Sequence, residues 1–109
     1  MKKTFWLLPF LLGACHLETR LDGGNMVEEI SKERAQSCIY VGSVFGYSVD
    51  ELNNSTEEQM KTSALNSLKN TVALREANAV LITKHQSNLK EKNVNQLRYT
   101  IYGDAYICQ

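Results

Sequence analysis

The most regular pattern in the chain lies near its end. Leu97, Tyr99, Ile101, Gly103, Ala105 and Ile107 alternate with Arg98, Thr100, Tyr102, Asp104, Tyr106 and Cys108. Successive side chains of an extended strand point to opposite faces, so this stretch predicts a long strand with its first set toward a core. The tyrosines of the second set then face solvent or a partner. Residues 38–49, Cys-Ile-Tyr-Val-Gly-Ser-Val-Phe-Gly-Tyr-Ser-Val, are rich in β-branched and aromatic side chains and predict another long strand. Within it, Gly42 and Gly46 suggest a bulge or a close approach of another element. Residues 79–83 are a nearly continuous apolar run, which predicts a central, buried strand. Residues 26–30 fit a short strand or the start of a helix, and we read them as a strand.

Between these segments the period changes. Met60, Ala64, Leu68 and Val72 recur every fourth residue, Leu65 widens the stripe, and Lys61, Asn66, Lys69 and Asn70 are expected on the other face. This pattern predicts an amphipathic helix to about residue 75, starting from Ser55 with Glu58 or Thr56 with Gln59 as a capping box. Asn78, able to adopt a left-handed backbone, is expected to end it. Residues 84–96 are polar and uneven and read as a mobile loop or a hairpin tip. The element order is strand, strand, helix, strand, strand, which predicts an α+β fold: a small, mostly antiparallel sheet with one amphipathic helix packed on it.

The first residues obey a different logic. Lys2 and Lys3 precede an apolar run, then Gly13, Ala14 and Cys15, the order of a secretory signal. The run is much shorter than the roughly 20 residues a membrane-spanning helix needs, and Pro9 interrupts it. Leu12-Gly13-Ala14-Cys15 resembles the lipobox of bacterial lipoproteins, in which a cysteine thiolate takes up lipid and small residues admit the backbone to a peptidase groove. The resemblance implies removal of residues 1–14, acylation of Cys15, and anchoring in the bilayer by chains worth about 0.8 kcal/mol per buried CH₂. Residues 15–25, with Asp22, Gly23, Gly24 and Asn25, read as the lipidated cysteine and a short tether, and 26–109 as a single domain. His16 is not the aspartate that resembles an inner-membrane retention signal, so the expected location is the periplasmic face of the Gram-negative outer membrane.

Assigning Cys15 to lipid decides the chemistry of the other cysteines. Cys38 and Cys108 remain as an even pair in an oxidising compartment, where a disulfide is expected. It would close a loop of about 70 residues, worth roughly 4 kcal/mol in the chain-entropy model. Two sharper alternatives compete with it: Cys38 as a nucleophile paired with His85, and a zinc site from Cys38, Cys108, His16 and His85. No nucleophile signature surrounds Cys38, and the four lack the short spacings of structural zinc. No cofactor is expected. Asp50, Glu51, Glu57 and Glu58 suit capping and helix-dipole roles better than acid–base chemistry. Without Lys2 and Lys3 the chain keeps ten basic against twelve acidic residues, and nothing in this mildly negative balance suggests a nucleic-acid partner, which would want a clustered basic face.

A wider resemblance joins these pieces. Cys38 with Gly42, Leu68-Lys69-Asn70 with Val72-Ala73, Ala77-Asn78-Ala79-Val80, and Gly103-Asp104-Ala105-Tyr106-Ile107-Cys108 resemble small bacterial lipoproteins of unknown function, of the DUF4156 type, distantly similar to the outer-membrane stress-sensing lipoprotein RcsF. That resemblance implies a small sheet with a helix on it. Unlike RcsF, the chain has one candidate cysteine pair and a short tether without proline. The functional expectation is a non-enzymatic envelope lipoprotein acting as a binding or structural module, with an envelope protein as partner through the sheet face or residues 84–96. A stress sensor is the alternative, and a thiol enzyme using Cys38 ranks below both.

Overall fold

The computed structural model describes residues 22–52, 54–91 and 94–109. Their elements are α1 (Asp22–Asn25), β1 (Glu28–Glu29), α2 (Lys32–Ala35), β2 (Ile39–Asp50), α3 (Glu57–Leu74), β3 (Ala79–Ser87) and β4 (Leu97–Ile107). The four strands form one sheet in the order β1-β3-β4-β2. The β1–β3 pair is parallel, and the other two pairs are antiparallel. With α3 packed across one face, the fold is α+β, as the sequence pattern predicts.

The helix begins where its capping box lies. Thr56 Oγ1 accepts from the Gln59 backbone N–H at 3.1 Å, and Gln59 Oε1 accepts from the Thr56 N–H at 2.8 Å, so of the two candidate boxes this one forms. Met60, Ala64, Leu68 and Val72 are completely buried. They meet Val44 of β2, Val80 of β3, and Tyr99, Ile101 and Ala105 of β4. Full burial of each larger apolar side chain contributes about 1.5–3 kcal/mol. At Gly46, α3 comes so close that an added Cβ would lie 2.2 Å from the Leu68 backbone nitrogen. The glycine signal in this strand therefore marks contact between two backbones.

Several expectations are corrected. Lys69 and Asn70 are buried rather than solvated. The segment before β1 accounts for this: α1 lies against α3, Val27 enters the core, and Glu29 pairs with the Lys69 ammonium at 3.3 Å. Asp22–Asn25, read as part of a tether, is thus a helical turn against the domain. The strand expected over 26–30 shrinks to Glu28–Glu29 because Ser31 caps α2, accepting from the Arg34 N–H at 3.2 Å.

The strand starting at Ala79 is not central along its length. β1 pairs only with Ala79 and Val80, so the rest of β3 lies on the sheet edge, and β4 is central. β3 also continues through Lys84, His85, Gln86 and Ser87, which pair with Tyr102, Ile101, Thr100 and Tyr99. Their backbone ladder to β4 makes them a strand, while edge exposure allows their polar composition. The loop expected from residue 84 begins only after Ser87.

The left-handed residue after α3 is Glu76, at φ 63°, and not Asn78. Ala77 N–H bonds Val72 O at 3.2 Å and Glu76 N–H bonds Ala73 O at 2.9 Å, the two bonds of a Schellman termination. Asn78 does something else. Its Nδ2 donates to Cys108 O and its Oδ1 accepts from Cys108 N–H, both at 2.8 Å, so one side chain extends the ladder past the end of β4. Cys108 is bonded to Cys38, whose Cα is 4.6 Å away, and the disulfide ties the start of β2 to the end of β4. Among the described residues, no helix is long and apolar enough to cross a membrane. Residues 1–14, Cys15 and His16 lie outside the described residues.

Candidate functional site

One helix cannot cover both faces of a sheet, and the face opposite α3 carries rings. Strand alternation sends Val44, Gly46 and Ser48 inward and Phe45 and Tyr47 outward. On β4 the same rule buries Tyr99, Ile101, Gly103 and Ala105 and turns Arg98, Thr100, Tyr102 and Tyr106 to the open side. Phe45 pairs directly with Tyr102 and Tyr47 with Thr100. The Phe45 ring centroid is 6.1 Å from Tyr102 and 6.3 Å from Tyr47, with interplanar angles of 38° and 31°. Phe45 and Tyr47 are each 54 % exposed and lie side by side, so they form a contiguous apolar patch instead of scattered surface residues.

Two irregularities shape this face. A shift between Ile82 and Lys84 leaves Thr83 as an extra residue in β3. Without it, Lys84 would point toward the core; with it, Lys84 and Gln86 join the open face. The Lys84 ammonium sits 5.6 Å from the Tyr102 ring centroid, and the Tyr102 hydroxyl donates to Gln86 Oε1 at 3.3 Å. A second shift between Tyr40 and Gly42 brings Tyr40 onto the open side opposite Tyr106, with centroids 5.6 Å apart in an edge-to-face contact.

Two shallow depressions adjoin on this face. The first, about 420 Å³, is walled by Phe45, Tyr47 and Val49. The second, about 450 Å³, is walled by Gln86, Ser87, Asn88 and Glu91. Arg98, Thr100 and Tyr102 line both. Asn88 fixes the chain at the second depression: its side chain accepts from the Arg98 N–H at 2.8 Å and donates to Gln96 O at 3.0 Å.

The other residues singled out by sequence occupy different places. Cys38 and Cys108 are joined to each other, so neither is a free thiol. His85 projects on the helix side of β3, where its Nδ1 lies 3.0 Å from the Tyr99 hydroxyl. Among the described residues, no group of three or more histidine, cysteine or acidic side chains is arranged to hold a metal ion. Asp50 closes the turn after β2, accepting from the N–H groups of Leu52 at 3.0 Å, Asn54 at 3.0 Å and Ser55 at 2.8 Å. The Ser55 side-chain bond, then these backbone donors, outweigh burial and hold its carboxyl below the usual aspartate range. Glu57 and Glu58 stand in the first turn of α3, where negative charge suits the helix dipole. Alternation along β4 points to the tyrosines of the open face, whereas Phe45 and Tyr47 escape a reading of β2 by composition. The period of two through Ser43, Phe45, Tyr47 and Val49 is the signal that marks them.

A family model described as a domain of unknown function, DUF4156, matches residues 19–108. The chain belongs to the DUF4156 family. The match spans every described element of the fold, including the whole open face of this DUF4156 domain. No match was found among curated proteins.

Proposed function

We propose that this DUF4156 protein is a lipid-anchored component of the bacterial cell envelope, held at the periplasmic face of the outer membrane, where it works as a non-enzymatic binding module. The observation that carries the binding role is the open sheet face, with three neighbouring rings and two depressions on the side that α3 leaves bare. An aromatic surface of this kind retains a free-energy gain for a partner that covers it. The location rests on Leu12-Gly13-Ala14-Cys15, and the Cys38–Cys108 bond is in keeping with an oxidising compartment.

The anchor and the face are tested separately. Cys15→Ser should leave an unprocessed chain of higher protein mass without acyl groups, released from the outer-membrane fraction; an unchanged mature mass and distribution would refute the anchor. For the face, a photoreactive residue at position 47 should form envelope adducts in living cells, whereas one at the exposed Lys61 of α3 should not. Equal adducts at both positions, or none at 47, would remove the binding role from this face.

A further inference from the structure

The two depressions differ in chemistry and share one cation. On one side lie the rings of Phe45 and Tyr47, and on the other the Gln86 amide and the Glu91 carboxylate. Arg98 lines both, and among the described residues its guanidinium has no ion-pair partner. Lys84 adds a second positive charge beside Tyr102. Asp104, also on this face, is within 3.5 Å of the Ser43 hydroxyl, while Glu91 lines the second depression together with Arg98 and Tyr102.

From this arrangement, and resting on the open face being the binding surface, we infer that the double depression binds an acidic saccharide. A pyranose has a face of C–H groups and a rim of hydroxyls. The C–H face suits the electron-rich faces of Phe45, Tyr47 and Tyr102. Hydroxyls further along the chain meet the Gln86 amide and the Glu91 carboxylate, and a carboxylate or phosphate on the sugar meets the Arg98 guanidinium, whose fork matches such groups. The shallowness of the floor favours this ligand over a protein partner, whose binding energy concentrates in anchor side chains sunk into desolvated pockets.

The test uses the full chain in detergent micelles, titrated with short oligogalacturonates and with neutral galactose oligomers of the same length. Nuclear magnetic resonance should show shifts from the acidic oligomer concentrated at Tyr47, Arg98 and Tyr102. Arg98→Gln should weaken acidic binding about tenfold, the loss expected of one charge-assisted contact, and leave any neutral binding unchanged. Tyr47→Ala should weaken both. Equal affinity for neutral and acidic oligomers overturns the acidic preference. No shift on this face with either oligomer at millimolar concentration overturns the saccharide. If a photoreactive residue at 47 nevertheless captures an envelope protein, the saccharide inference fails while the face remains the binding surface. Loss of all adducts at 47 removes both.

Discussion

At Gly46 the geometry makes a sharp demand. A Cβ there would meet Leu68 N at 2.2 Å, Leu68 Cα at 2.5 Å and Ala64 O at 2.6 Å, all backbone atoms of α3 that cannot step aside singly. Gly46→Ala should therefore cost about 2–3 kcal/mol in chemical unfolding, the upper range for overpacking. Gly42→Ala is the control, since its Cβ would meet only the far end of Arg75 at 3.0 Å and should change stability by less than about 0.5 kcal/mol. Glu76 makes the opposite case. A side chain in the left-handed region is penalised by about 1–2 kcal/mol, partly offset by the greater freedom of an unfolded glycine. Glu76→Gly should raise stability by about 0.5–1 kcal/mol. Asp50 brings pH into play. Its folded carboxyl titrates below the unfolded value near 3.9, so its contribution is present above about pH 4 and drains away as pH falls through the lowered folded value. The difference in Tm between the parent and Asp50→Asn should be steady from neutral pH to about 5 and close below about 4. A gap that persists at lower pH would show that the charge is not its source.

At the scale of elements, strong periodicity translates well into structure. The period-four stripe of α3 names Met60, Ala64, Leu68 and Val72, and the alternation of β4 names Tyr99, Ile101, Gly103 and Ala105, because one buried face is enough to set each pattern; at the end of β4 the alternation fails, with Ile107 exposed and Cys108 buried in its disulfide. The open face is half legible: Tyr102 and Tyr106 stand out in the alternating strand, while Phe45 and Tyr47 are hidden in a run where both faces carry apolar residues. The features that sequence conceals depend on neighbours distant along the chain. The strand character of Lys84, His85, Gln86 and Ser87 comes from main-chain bonds to β4, which leave no mark on an edge strand's side chains. Lys69 and Asn70 look solvent-facing until α1 and Val27 cover that flank of the helix. Asn78 reads as a helix stop because asparagine tolerates a left-handed backbone. Its actual role, pairing with the Cys108 main chain, requires knowing that residues 30 positions apart meet.

At the scale of the molecule, two devices hold the end of β4, and they should not act independently. The Cys38–Cys108 bond closes a loop spanning 70 positions, which lowers the entropy of the unfolded chain by about 4 kcal/mol of stability. For a domain this small that is a large share of the total, so Cys38→Ala with Cys108→Ala should remain folded at low temperature and lose a large part of its unfolding free energy. Asn78 holds the same Cys108 through two hydrogen bonds, worth about 1 kcal/mol each. With the disulfide intact, Asn78→Ala leaves the Cys108 N–H and C=O held in place without those partners, and the full penalty is felt. Without the disulfide, the freed end can peel away from β3 and hydrate the same groups, so Asn78→Ala should cost less. A double-mutant cycle measured by denaturant unfolding should give a coupling of about 1 kcal/mol, and hydrogen exchange should show the end of β4 opening only when both restraints are gone. Additive losses would mean that the disulfide and the asparagine stabilise the domain by separate routes.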